Sequence, residues 1–224
     1  MKILATGDEQ RIDELKQKFG SEKISVDPAG DTASQLRQYD VIFDLNADEK
    51  KSVLDKYAAL ENKLVIACAV KKSVKAMIGE SDQKMKCRIA GMNALPTFIN
   101  KAPLEVSFAD ERSRKKFEEF AGNVKLSFLE VKDAIGMVIP RVICMIINEA
   151  CYSLYQGVAV KEDIDLAMKL GTGYPFGPLE WCDRIGIQNV YETLEAIHYE
   201  TRDRRYEICP LLKEKYEKKE TFYS

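Results

Sequence analysis

The residues best suited to chemistry near the start of the chain are Ala5-Thr6-Gly7-Asp8-Glu9-Gln10, which precede Ile12, Leu15 and Phe19 at helical spacing. A strand that turns tightly into a helix can hold a dinucleotide. Glycines let its backbone approach the pyrophosphate, and the free N–H groups of the first helical turn point at it. Laid on the pattern GxGxxG, the glycine positions are Ala5, Gly7 and Gln10, so only the middle one is glycine. Thr6 and Glu9 have the spacing of a capping box, which satisfies helix N–H groups with the protein's own side chains. Asp8 and Glu9 would also meet a phosphate as like charges. A helix start capped from within is expected, and with it weak or absent binding of NAD. The chain has a single histidine, His198, beside Tyr199 and Glu200, and it reads as a surface or interface residue. Six cysteines, at 68, 87, 144, 151, 182 and 209, form no CxxC pair and sit mostly in apolar segments. They read as buried free thiols, with neither disulfides nor metal binding expected.

The longest ordered signal lies between Lys132 and Gly186. At its centre, Leu170 to Trp181, Gly171, Gly173, Pro175, Gly177 and Pro178 form a rigid corner. Gly171 is expected in the left-handed position that ends one helix, and Pro178 in the first turn of the next. Alone, such a corner is a stiff connector between packed helices. With Lys132-Asp133, Gly136, Arg141 and Glu162-Asp163-Ile164-Asp165 ahead of it, residues 132 to 186 resemble the C-terminal domain of the 3-hydroxyacyl-CoA dehydrogenases. That resemblance implies an α/β Rossmann-like, NAD-binding domain at 1–132. It implies an all-α domain of the 6-phosphogluconate-dehydrogenase C-terminal type at 133–224, which forms homodimers. The implied reaction oxidises 3-hydroxyacyl-CoA to 3-ketoacyl-CoA in fatty-acid metabolism.

Carried over residue by residue, the resemblance puts Asn93, in Gly91-Met92-Asn93-Ala94-Leu95-Pro96-Thr97, in the place of the family's catalytic histidine. Glu105, in Pro103-Leu104-Glu105-Val106, keeps the place of the glutamate that orients it. An asparagine amide donates and accepts hydrogen bonds but takes no proton near neutral pH, so base catalysis by residue 93 is excluded. Such a base contributes about 10² to 10⁴ in rate. Asp27 stands where the family has the acid that bonds the adenosine ribose. Pro140, beside Arg141, replaces an asparagine, and the serine near the nicotinamide falls at Lys71 or Lys72. A lysine there could act as a base if desolvation lowered its pKa, although both are expected as solvated loop residues. Glu105 could serve as a base itself; its ordinary role is a strand-end carboxylate bonded to Asn93 or to backbone. Two readings follow: a divergent or weak dehydrogenase using Glu105 or a lysine, and a non-catalytic dimeric module that binds acyl-CoA or a partner protein.

The elements that must position these residues alternate. Strands are expected at Lys2 to Ala5, Lys23 to Asp27, Tyr39 to Leu45, Leu64 to Val70, Arg88 to Met92, Leu104 to Phe108 and Lys125 to Val131. Helices carry Ile12, Leu15 and Phe19, then Val53, Leu54, Tyr57 and Leu60, then Phe117 and Phe120, so a mostly parallel sheet is expected. The crossover before Tyr39 is short, which suggests missing walls around an adenosine pocket. From Ile135 to Tyr155 the pattern becomes one long apolar helix that begins or bends near Pro140, and Pro210 to Ser224 forms a terminal amphipathic helix. With 224 residues, 46% apolar, the chain can bury one or two modest cores. Its 34 basic and 36 acidic residues leave a formal charge of −2, so no field collects nucleic acid or an anionic membrane. No apolar run approaches the ~18 residues of a membrane span, and no signal-peptide layout opens the chain, so a cytoplasmic protein is expected.

Overall fold

The structure is a computed structural model that describes residues 1–26 and 33–223, without the side chains of Ala33 and Ser34. Asp27, the expected ribose ligand, lies outside the described residues. The chain divides into two compact units, Met1–Met137 and Val138–Ser224. The first extends a few residues past the expected boundary at 132 because its end is bonded into it. Asp133 accepts the N–H groups of Val74 and Lys75 at 2.8 and 2.9 Å, and the Gly136 N–H donates to the Val70 carbonyl at 2.7 Å.

In chain order, the first unit contains β1 (Ile3–Thr6), α1 (Glu9–Phe19), β2 (Ile24–Val26), α2 (Ala33–Leu36), β3 (Val41–Asp44) and β4 (Leu64–Cys68). Then come α3 (Val74–Gly79), β5 (Arg88–Met92), β6 (Leu104–Phe108), α4 (Glu111–Val124) and β7 (Phe128–Glu130). The strands form one sheet in the order β2-β1-β3-β4-β5-β6-β7. The first five are parallel, β6 runs antiparallel to β5, and β7 is parallel to β6. The mostly parallel sheet expected from the alternating pattern is present. β1, β3 and β4 are buried at every position, as strands covered on both faces must be, which explains their unbroken apolar runs. On α1, Ile12, Leu15 and Phe19 face inward, and Gly20 at φ 92° stops the helix. Phe19 packs 5.6 Å from Phe43 of β3 and 6.1 Å from Phe120 of α4, ring centre to ring centre. The helix expected through Val53 and Tyr57 is a 3-10 turn, Val53–Tyr57. Ser52, left-handed at φ 50°, breaks the chain before it, and the buried Tyr57 hydroxyl donates to Asp44 at 2.7 Å, drawing the segment onto the end of β3.

The second unit is all-α: α5 (Ile139–Tyr155), α6 (Lys161–Thr172), α7 (Pro178–Ile185), α8 (Ile187–Thr201) and α9 (Pro210–Lys218). Pro140 lies in the first turn of α5, where its missing N–H costs nothing. That helix starts later than Ile135 because Gly136 and Met137 both have positive φ. α6 also departs from expectation. It continues through Gly171, and Gly173 at φ 71° holds the left-handed position that ends it. Pro178 opens α7 as expected. The corner is built on Asp165, whose carboxylate accepts the Leu179 and Glu180 N–H groups, each at 2.8 Å, and the Tyr223 hydroxyl at 2.9 Å. A side chain on Gly177 would strike Asp165 at 2.2 Å. The terminal helix is shorter than expected: Lys219 turns left-handed after it, and the Phe222 and Tyr223 N–H groups dock on Asp183 at 2.9 and 2.8 Å. All six cysteines are buried and free, and burial pushes the Cys144 thiol up to about 12. Among the described residues no helix is long and apolar enough to cross a membrane.

Candidate functional site

In a sheet with this strand order, the chain leaves β1 and β3 in opposite directions, which opens a crevice at their carboxyl ends where such folds bind ligands. Gly7 follows β1 at φ 141°. A Cβ there would lie 2.6 Å from Asn46 Oδ1 and 2.9 Å from Leu45 Cβ, so the space its missing side chain leaves is taken by the chain after β3. The Asp8 N–H donates to Asn46 Oδ1 at 2.9 Å, and Asn46 Nδ2 returns a bond to Asp8 Oδ2 at 3.1 Å. This reciprocal pair bridges the crevice.

The cap of α1 is Asp8, which accepts the Arg11 N–H at 3.1 Å. The expected Thr6/Glu9 capping box does not form. Thr6 belongs to β1, and its hydroxyl faces the Phe43 carbonyl of the neighbouring strand at 3.5 Å. Arg11 is 1% exposed and knits the crevice shut: it bonds Glu49 Oε1 at 2.9 Å, lies 3.0 Å from Asp8 Oδ2, and donates to the Leu45 carbonyl. A dinucleotide pyrophosphate at this helix start would meet a carboxylate and an amide already bonded to each other. Like charges in contact cost about 1 kcal/mol in water and several where solvent is excluded. The residues at this turn do not fit the phosphates of NAD.

Behind the crevice, Asp48 is buried and accepts the Val70 and Lys71 N–H groups at 2.8 and 2.7 Å and the Cys68 thiol at 3.3 Å. Burial, then the Asp48 carboxylate, push the Cys68 thiol well up, so it remains protonated. Lys71 was expected in solvent but is 7% exposed, with its ammonium 3.6 Å from Glu49. Asp48 holds the backbone after β4 in a turn that sends this side chain inward. Lys72 is half-buried and pairs with Glu80 at 2.9 Å while donating to the Lys50 carbonyl at 3.1 Å, so it too differs from the solvated lysine expected.

At the next strand ends the structure brings Asn93 and Glu105 together. The Asn93 N–H donates to the Glu105 carbonyl at 3.0 Å, continuing the β5–β6 ladder, and residues paired this way project from the same face. They are 1% and 2% exposed. Asn93 Oδ1 accepts the Leu95 N–H at 3.2 Å, which fixes the amide with its NH2 group turned away from that bond. Asn93 Nδ2 is buried without a hydrogen-bond partner among the described residues. The following turn is strained: Thr97 sits at φ 78°, held by Glu14 of α1, which accepts its N–H at 2.6 Å. Asn46, Arg11, Glu49, Asp48 and Glu14 were not singled out by sequence reasoning. Only Arg11 carried a local signal, one turn after the Asp8 cap. His198 lies half-buried on α8, and no group of three or more His, Cys, Asp or Glu side chains among the described residues is placed to hold a metal.

Comparison with known proteins bears on the second unit most directly. Residues 136–222 match the family model for the 3-hydroxyacyl-CoA dehydrogenase C-terminal domain. A probable 3-hydroxybutyryl-CoA dehydrogenase of Bacillus subtilis is 38% identical over 133 residues, which are 56% of this chain and 45% of that protein. A 3-hydroxybutyryl-CoA dehydrogenase of Clostridioides difficile is 29% identical over 187 residues, 79% of this chain and 65% of that protein. The chain thus spans less than two thirds of the length of either curated relative. Among solved structures, an (S)-3-hydroxybutyryl-CoA dehydrogenase of Ralstonia eutropha superposes with a TM-score of 0.73 over 97% of this chain and 94% of that one, at 20% identity, a likeness of fold.

Proposed function

We propose that this chain, which through residues 136–222 belongs with the 3-hydroxyacyl-CoA dehydrogenases, is a dehydrogenase-like protein that binds acyl-CoA thioesters without base-catalysed hydride transfer. The observation that carries this reading is Asn93: a buried amide beside Glu105 offers a donor and an acceptor, and neither can take the hydroxyl proton that oxidation of a secondary alcohol releases. The filled turn at Gly7, Asp8 and Asn46 supports it independently. NAD binding, the family's property, is assigned no step here. The alternative is a weak dehydrogenase using Glu105 or Lys71 as base; Lys71 is buried, with its ammonium 3.6 Å from Glu49.

The helical unit is proposed to form a homodimer, and six buried cysteines suit the reducing cytoplasm. The test is paired. Purified protein should show no NADH consumption with acetoacetyl-CoA and no thermal shift with NADH, while its melting temperature rises with butyryl-CoA and acetoacetyl-CoA. Turnover would establish the dehydrogenase reading instead, and indifference to every CoA thioester would leave only a partner-binding role.

A further inference from the structure

A second feature lies at the amino ends of the strands, away from the crevice at Gly7 and from Asn93. The chain entering β1, β2 and β3 and the last residues of α1 and α4 surround an open cavity of about 800 Å³, within the ~300–1,000 Å³ of small-molecule sites. Four lysines line it, Lys2, Lys18, Lys23 and Lys125, with Glu22 as the one acid among the described residues. The register that pairs Ile3 with Ile24 sets Lys2 and Lys23 beside each other at the heads of β1 and β2, where like charges repel. Lys18 is half-buried, its ammonium donating to the Lys101 carbonyl, and burial lowers its pKa below the ordinary lysine value. None of the four forms an ion pair among the described residues. The adjoining cavity, of about 430 Å³, is the contrast: both of its lysines are neutralised, Lys63 by Asp40 at 3.4 Å and Lys116 by Glu119 at 2.9 Å. The carbonyls that end α1 and α4 attract cations, which accounts for Lys18 and Lys125 but not for Lys2 and Lys23.

We infer that this cavity binds a small molecule through a terminal di- or triphosphate. Lysine ammonium groups hold phosphates as point charges, whereas a carboxylate is held best by the planar fork of arginine, and no arginine lines the cavity among the described residues. Several lysines together match a phosphate chain with a free, doubly ionised end. The bridging pyrophosphate of a dinucleotide is esterified at both ends and carries less charge. A terminal phosphate chain would relieve the repulsion between Lys2 and Lys23. The site lies at the opposite edge of the sheet from the turn at Gly7, so the inference does not depend on the acyl-CoA reading.

Calorimetric titration of the whole chain with tripolyphosphate, ATP and orthophosphate tests it, without divalent cations and at low ionic strength, where exposed charges are least screened. Tripolyphosphate and ATP should both bind more tightly than orthophosphate by about tenfold, the scale of one added hydrogen bond to a charged group. Tighter binding of ATP than of tripolyphosphate identifies a nucleotide as the ligand, and equal affinities the phosphate chain alone. Lys23→Gln and Lys125→Gln should each weaken tripolyphosphate binding by about tenfold, while Lys116→Gln, in the adjoining cavity, should bind as the wild type does. Absence of tripolyphosphate binding overturns the inference, as does an equal affinity for orthophosphate, undiminished binding in both Lys23→Gln and Lys125→Gln, or the same loss in Lys116→Gln. The comparison of ligands needs no variant, so the test survives a variant that does not fold. The thermal response to butyryl-CoA should be the same in the wild type and in Lys23→Gln, so this inference and the acyl-CoA reading fail separately.

Discussion

An amide where chemistry calls for an imidazole changes what one residue can do, and putting the imidazole back need not change the protein. Asn93→His would place a titratable ring beside Glu105, yet the turn at Gly7 would still be filled by Asn46 and Asp8. NADH absorbance in the presence of acetoacetyl-CoA is therefore expected to stay flat in that variant, and a restored rate would show that the filled turn opens. Tyr57 supports a second prediction at this scale. Burial, and then the Asp44 carboxylate that accepts its hydrogen bond, push its hydroxyl far above the usual tyrosine range. A tyrosine in the unfolded chain ionises near pH ~10. A pKa raised on folding adds stability that is intact below that unfolded value and is lost as pH climbs toward the folded one. Urea unfolding should therefore show stability falling above pH ~10, by up to about 1.4 kcal/mol per pH unit from this one group. Tyr57→Phe should fall less steeply, and an unchanged slope would assign the titration to other groups.

At the scale of the element, the corner between α6 and α7 separates two glycines that look equivalent in sequence. Gly171 lies inside α6 with open space where a Cβ would go, whereas Gly173 is the left-handed residue that ends the helix. Gly171→Ala is expected to be neutral or to stabilise by about 0.5–1 kcal/mol, from helix propensity and a less flexible unfolded chain. Gly173→Ala should destabilise by about 1 kcal/mol or more, since alanine resists positive φ. Chemical denaturation of the two variants measures both signs, and the same sign for both would contradict this helix end. The self-capped α1 shows the same logic at a helix start. The Asp8 carboxylate accepts the Arg11 N–H, so one of the free N–H groups of that first turn is bonded from within the chain.

For the molecule as a whole, the proposed homodimer would draw on the exposed apolar residues of the second unit. Leu166 and Leu170 stand one turn apart on α6, Leu170 78% exposed, and Val138, Val142, Val158 and Val160 are also exposed. A second copy covering such surface would bury about 1,200–2,000 Å², the size of an ordinary specific interface. Sedimentation should find two chains per particle, and Leu170→Asp should yield one. A wild-type protein that stays monomeric at high concentration would refute the homodimer. The near-balanced charge leaves apolar burial as the main drive for such an association.

Much of this molecule follows from local order in the chain. The apolar runs of β1, β3 and β4, the stop at Gly20, the helix starts at Pro140 and Pro178, the buried cysteines and the resemblance of residues 132 to 186 are all carried by neighbouring residues, because periodicity and backbone restriction act over a few positions. The tertiary structure alone decided that Asn46 and Leu45 fill the turn at Gly7, that Arg11 reaches Glu49, that Glu49 and Asp48 meet Lys71, and that Asn93 meets Glu105. Each of these depends on residues of different segments that meet only when the strands align. No spacing rule along one segment can register a partner supplied by another.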